Sequence, residues 1–280
     1  PDKFYGYRQQ VRVRYGQDRD STPRYTTLNL KIDTGETAGR AGIHWHVAAA
    51  NAVRYASEGD GRERMLWVEV RQGGGAWKRY ASRARPAATA PPEWQRTLDC
   101  VDCHNRATHI YEEPESAVDE RIRRGLVDRS LPFAKREVLG AVLPEYPDRE
   151  AAMAGIAGRL EGAYARLLPA MSTRQRQSVE RAVAAAQEIY NRNIHPLMEV
   201  RWGTYPSHLG HRHDGGCFRC HNRDLVDEAG RSIPDGCTLC HSFLAFGSDR
   251  PYRFLDVPSA ADPEGVMHQY LREEFIRQEK

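Results

Sequence analysis

The sequence predicts an α+β protein, with a small β-rich N-terminal region over residues 1–85 followed by a mostly helical region over 93–280. Two periodicities and one cysteine pattern carry that expectation. Apolar and polar residues alternate early in the chain, as in half-buried strands. From about 115 to 195 apolar residues recur every three to four positions, as on the inner face of a helix. All six cysteines fall after residue 99, in three pairs of one spacing.

Taken in order, Val11-Arg-Val-Arg-Tyr15, Thr27-Leu-Asn-Leu-Lys-Ile32 and Met65-Leu-Trp-Val-Glu-Val70 read as strands. Gly73-Gly-Gly75 reads as a turn into Trp77-Lys-Arg-Tyr80. Residues 84–92, rich in Pro and Ala, read as a linker. A helical insert is expected at about 115–195. In it Ile156, Leu160, Tyr164 and Leu167 share a face, as do Val179, Val183, Ala186 and Tyr190, and Ser172 with Gln175 has capping-box spacing. Residues 205–245 are rich in Gly, His and Cys, with little periodicity. Residues 263–279 read as a terminal surface helix with Val266, Tyr270, Leu271 and Phe275 on one side.

A chain of 280 residues fits one large domain or two small ones. It holds 40% apolar and 28% charged residues, with no apolar run near the ~18 residues a spanning helix needs. The 41 basic and 38 acidic residues are interspersed, giving a net charge of +3. No basic block resembles a nucleic-acid arm, and no nucleic-acid partner is expected. The chain opens on Pro1 without a secretory leader, which reads as a trimmed product whose N-terminal context lies outside it.

The cysteine pairs are Cys100-Val-Asp-Cys103-His104, Cys217-Phe-Arg-Cys220-His221 and Cys237-Thr-Leu-Cys240-His241. Cys-x-x-Cys-His is the c-type haem attachment signature: two thiols add to the two vinyl groups of one porphyrin, and the next imidazole becomes the proximal iron ligand. The strongest rival is zinc, because Cys217, Cys220, Cys237 and Cys240 have a zinc-ribbon spacing. A disulfide framework is the third reading. The histidines decide. With 11 His in 280 residues, three out of three following a pair by chance has a probability on the order of 1 in 10,000. Zinc also leaves Cys100 and Cys103 without partners. Three covalently attached haems are therefore expected, making residues 93–280 a haem-packed triheme region. Six propionates would turn the net +3 to roughly −3, giving some of the Arg residues a pairing role.

Eight histidines remain for the distal side of iron. His44 and His46 flank Trp45 and would share a face on a strand. His109 is too close to His104 to reach over its own haem easily, and reads as a ligand to a neighbour. His208, His211 and His213 precede the second motif, and at least one is expected to ligate. His195, before Pro196, reads as a capping imidazole, and His268 as a surface-helix residue. Met198 is the sulfur alternative. The primary distal candidates are His46, His109, His208 and His211, with His44 and Met198 as alternates.

Longer stretches carry a family resemblance. These are Gly42-Ile-His-Trp-His46, Cys100-Val-Asp-Cys-His-Asn-Arg-Ala-Thr-His109, Asp128-Arg-Ser-Leu-Pro-Phe133, and Trp202-Gly-Thr-Tyr-Pro-Ser-His-Leu-Gly-His211 followed by Gly216-Cys-Phe-Arg-Cys-His221. Over roughly residues 40–243 the chain resembles membrane-anchored multihaem c-type cytochromes of the NapC/NirT-like group. The resemblance implies an N-terminal anchor, often with further haems, on the outer face of the cytoplasmic membrane. It also implies electron passage from the quinol pool or an inner-membrane donor to periplasmic or outer-membrane acceptors, so that the expected partners are redox proteins or the quinol pool. It favours His44 or His46, His109, and His208 or His211 as ligands and disfavours His195. The sequence departs from the group in lacking the anchor, any N-terminal haems, and a His soon after His221.

The expected function is thus periplasmic electron transfer by three haems, the second and third brought close by motifs only 20 residues apart. A reductase with one open-coordination haem acting on a small oxyanion or nitrogen oxide is the enzymatic alternative, and a haem-based sensor is the third.

Overall fold

The computed structural model describes residues 6–35, 42–85, 90–106, 109–211 and 215–278. Two antiparallel sheets and a four-helix insert make up the body. β1 (Tyr7–Tyr15), β2 (Pro23–Lys31) and β8 (His241–Ser248) form a three-stranded sheet in the order β1-β2-β8. β3 (Asn51–Glu58), β4 (Arg64–Gln72), β5 (Lys78–Ser82), β6 (Gln95–Thr97) and β7 (Leu225–Val226) form the second, in the order β6-β3-β4-β5-β7. Strands from the N-terminal third therefore pair with strands near the C-terminus. Tyr25 stands opposite Ser248 and Leu30 opposite His241, while Ala81 stands opposite Val226.

This pairing positions the three cysteine motifs. The first is the short helix α1 (Cys100–Cys103), three residues after β6. The second lies on a 3-10 turn (Gly216–Arg219) that leads to β7. The third lies on another 3-10 turn (Cys237–Leu239), and its histidine is the first residue of β8.

Between the first and second motifs lie α2 (Pro114–Arg123), α3 (Ala134–Val142), α4 (Arg149–Leu167) and α5 (Thr173–Asn193). Ile156, Leu160 and Tyr164 from α4 meet Val179, Ala186 and Tyr190 from α5 in one apolar core. Leu167 and Val183 pack at its margin. Ser172 caps α5: its Oγ accepts from the Gln175 amide at 3.2 Å, and the Gln175 side chain accepts from the Ser172 amide at 2.9 Å. Two of the four N–H groups a helix start leaves bare are thus satisfied.

Two expectations are corrected. Ile43–Val47 is a 3-10 turn, not a strand. Gly42, which precedes the turn, packs so tightly on the end of β2 that a Cβ there would lie 2.6 Å from the Lys31 carbonyl oxygen. At three residues per turn, side chains two apart diverge, so His44 and His46 do not share a face. The terminal helix α6 (Gly265–Gln278) buries Leu271 of the expected side but not Val266 or Tyr270, which are exposed. Val266 is 89% exposed, while His268, Leu271 and Glu274 are buried. Polar anchors set that face: Asp262 holds His268, and Lys31 holds Glu274.

Candidate haem-attachment site

Asp99 starts α1 by accepting from the Val101 amide at 2.9 Å, and the Asp102 side chain accepts in return from the Asp99 amide at 2.8 Å. Asp102, inside the first motif, is 1% exposed. Its Oδ1 accepts from the Tyr55 hydroxyl at 2.5 Å and from Arg62 Nη1 at 2.7 Å, with Arg96 Nε 3.4 Å away. Burial alone would favour the neutral acid. Tyr55, the Asp99 amide, Arg96 and Arg62 outweigh it and hold the carboxyl below its ordinary range. Burial and the Asp102 contact push the Tyr55 hydroxyl up to about 12.

The segment before the second motif is stitched to the first. Asn105 Nδ2 donates to the Pro206 carbonyl at 2.8 Å, and the His208 amide donates to Asn105 Oδ1 at 3.0 Å. His208 Nδ1 lies 3.1 Å from the Asp102 carbonyl oxygen. Burial, with nearby Arg219, lowers the His208 imidazole to about 4, so the ring is neutral at physiological pH. The chain then doubles back tightly. The Cys217 amide donates to the Gly210 carbonyl at 2.7 Å, and Gly216 sits at φ +57, where a Cβ would stand 2.0 Å from that same oxygen.

His46 and His221 meet across the gap between the 3-10 turn of Ile43–Val47 and the second motif. Their Nε2 atoms are 3.3 Å apart and their ring centroids 5.6 Å apart, so the nitrogens lie between the ring centres. His46 Nδ1 is 2.9 Å from the Ile43 carbonyl oxygen, and His221 Nδ1 is 2.6 Å from that of Pro234. Carbonyls only accept, so each Nδ1 carries a proton, and in the neutral rings each Nε2 presents a lone pair. Burial lowers the His46 pKa further from protonation.

The third motif is clamped from β2 and α6. The Lys31 amide donates to the Cys240 carbonyl at 2.9 Å, Lys31 Nζ donates to the Thr238 carbonyl, and Glu274 pairs with Nζ at 3.3 Å. His211 and His241 have rings 6.2 Å apart and tilted by only 24°, with Phe218 stacked on His211 at 4.3 Å. Burial, followed by His211, lowers His241 to about 4.

The remaining candidates are arranged differently. His109 Nε2 lies 2.8 Å from the Arg192 carbonyl oxygen, in a cluster with Tyr111 and His195. His44 holds a buried Nδ1 without a hydrogen-bond partner among the described residues. Met198 is 71% exposed on a 3-10 turn (Pro196–Met198). His213 lies outside the described residues. His104 is exposed. His268, expected on the surface, is 2% exposed, with Nδ1 3.0 Å from Asp262 Oδ2. Sequence reasoning did not single out Asp102, Arg219, Lys31 or Glu274. The first two were visible only as charged residues at the variable positions of the motifs.

The donor set fits haem. None of the six cysteines lies in a disulfide, which leaves every sulfur available for thioether formation. The facing lone pairs of His46 and His221 repel unless an electron-pair acceptor lies between them. Two metal–imidazole bonds of roughly 2.0 Å each span about 4 Å, which these rings reach by a small separation. The exposed apolar side chains Val101, inside the first motif, and Ile110 and Leu209, near that motif and beside His208 in sequence, suit the flank of a macrocycle. Among the described residues no group of three or more His, Cys, Asp or Glu side chains is arranged to hold a bare metal ion, and no helix is long and apolar enough to cross a membrane.

The class of protein that these motifs support is the c-type cytochrome, with covalently bound haem. The chain is 36% identical over 248 residues to "Cytochrome c-type protein ImcH" of Geobacter sulfurreducens, a match covering 87% of this chain and 48% of that protein. It therefore spans about half the length of the curated relative it matches. No family model matches the chain, and no solved structure matches it.

Proposed function

We propose that this chain is a triheme electron-transfer module of the NapC/NirT-like kind, carrying electrons between a quinol-linked membrane donor and a periplasmic or outer-membrane acceptor. The observation that carries the reading is the pair of bare, facing Nε2 atoms on His46 and His221, one next to a Cys-x-x-Cys and the other 175 residues away. In this reading Cys100 and Cys103, Cys217 and Cys220, and Cys237 and Cys240 hold three porphyrins. His104, His221 and His241 take the proximal places. His46 stands opposite His221, His211 serves the haem of His241, and His208 is a further distal ligand. His109 is an alternative whose Nε2 must first leave the Arg192 carbonyl.

Haem iron held between two imidazoles supplies one-electron transfer at low potential. The protein's part is to keep those imidazoles neutral, oriented and close together. Carbonyls fix the Nδ1 protons of His46, His208 and His221, and burial keeps His208 and His241 unprotonated. Proximity of the three motifs supports a continuous electron path. Arg219 of the second motif donates to the Asp102 carbonyl of the first at 2.8 Å, and His211, shortly before the second motif, lies 6.2 Å ring to ring from His241 of the third.

Thioether attachment takes place outside the cytoplasmic membrane, which supports a periplasmic location. The resemblance supports tethering through an N-terminal segment outside these 280 residues. The deciding experiment is a pyridine haemochrome count with ferric and ferrous spectra. Three low-spin haems per chain are expected. One high-spin haem would favour the reductase reading, and zinc without a Soret band would end the haem reading altogether.

A further inference from the structure

The second variable residue of the middle motif, Arg219, is buried. Its guanidinium spends all three nitrogens on backbone carbonyls: Nε donates to Gly216 at 3.0 Å, Nη1 to Arg62 at 2.6 Å and Nη2 to Asp102 at 2.8 Å. The last acceptor belongs to the first motif, and it is the oxygen that also faces His208 Nδ1 at 3.1 Å. One peptide oxygen inside the first haem-attachment motif is thus shared by a cation from the second motif and a candidate axial ligand.

Burying a guanidinium without strong partners costs several kcal/mol, and attachment chemistry makes no demand on the variable positions. The carbonyl cradle and the buried Asp102 carboxylate nearby offset that cost. Arg62 and Arg96 also face Asp102. The carboxylate therefore does not cancel the local positive charge.

We propose that Arg219 is a positioning residue that locks the first and second attachment motifs into one unit, keeps His208 Nδ1 on the Asp102 carbonyl so that Nε2 is free for iron, and raises the potential of the haem that His208 serves. The proposal rests on the triheme reading above. Its electrostatic part follows from charge: oxidation of iron adds a positive charge, which a fixed cation nearby opposes with an energy falling as the inverse of distance. Its geometric part follows from the planar, multiply donating guanidinium, which a lysine ammonium does not reproduce.

The test uses the haem-loaded protein with Arg219→Met and Arg219→Lys, read by haemochrome count, spectropotentiometric titration and ferric EPR. Arg219→Met is expected to keep three haems, lower the midpoint of one, leave the other two in place, and alter the low-spin EPR signal of that same haem. Arg219→Lys is expected to restore the midpoint but not the EPR signal. Wild-type titration and EPR curves in Arg219→Met overturn the proposal, as does an equal shift of all three midpoints. Should Arg219→Met fail to load haem, Arg219→Lys decides, and a wild-type EPR spectrum in it overturns the proposal. Failure of the underlying reading is seen separately, as fewer than three low-spin haems in the wild type.

Discussion

His46 Nε2 and His221 Nε2 face each other at 3.3 Å while each ring rests its Nδ1 on a backbone carbonyl. The carbonyls fix both tautomers, so in the neutral rings neither Nε2 has a proton to donate to the other. The pair is held ready for a shared electron-pair acceptor by segments far apart in sequence. His46→Ala is therefore expected to convert one haem of three from low-spin to high-spin. His44→Ala is expected to leave all three low-spin. Ferric absorption and EPR spectra of the two variants check this, and an unchanged spectrum in His46→Ala would remove His46 from the ligand set.

Gly216 carries a second prediction. It sits at φ +57, and a Cβ there would stand 2.0 Å from the Gly210 carbonyl oxygen and 2.8 Å from that of His208. Left-handed backbone alone costs a residue with a Cβ about 1–2 kcal/mol, and the contact is with backbone that no rotamer change relieves. Gly216→Ala should lower Tm by several degrees and reduce incorporation of the second haem. Gly140, on the exposed side of α3, has open space where a Cβ would stand and provides the control. Gly140→Ala should leave Tm unchanged or raise it. Thermal melts with haemochrome counts separate the two.

Much of the fold was legible because burial on one face writes a period into the sequence. β1 and the faces of α4 and α5 were read that way. β2 and β4 were read as strands although both bury consecutive residues, Thr27 to Asn29 and Met65 to Glu69. β3 and β8 likewise bury neighbours, Tyr55 with Ala56 and Leu244 with Ala245, and a strand covered on both sides does not alternate; neither was read. His44 and His46 misled for the opposite reason: two-residue spacing looked like a strand, and the chain there forms a 3-10 turn. At the site, the attachment pentads were legible because their chemistry is local. The Asp102, Arg219 and His208 cluster was not, because its bonds join residues 106 and 117 positions apart.

The helical insert should stabilise the protein without tuning its redox chemistry. Leu160 is fully buried in the α4–α5 core, among Ile156, Tyr164 and Ile189. Leu160→Ala leaves a cavity and should cost about 2–5 kcal/mol. Denaturant unfolding should show that loss, while the midpoint potentials of the loaded protein stay at their wild-type values. A shifted potential would mean that the insert bears on the haems directly.

Asp262 gives the acid limit of the C-terminal clamp. Its carboxylate accepts from His268 Nδ1 at 3.0 Å, Arg253 Nη2 at 2.9 Å and the Glu264 amide at 3.0 Å, joining the loop before α6 to the helix itself. Led by the His268 hydrogen bond, these partners hold its pKa down at about 2, against 3.8 when unfolded. Between those values the unfolded chain binds a proton that the folded chain refuses, so stability rises with pH across the window and is lost as pH falls from about 4 towards 2. Asp262→Asn removes the titrating group. The variant should be less stable than wild type at neutral pH, and the difference in Tm between them should narrow as the buffer is taken below pH 4. A constant difference down to pH 2 would show that the carboxylate's charge contributes nothing to holding α6 in place.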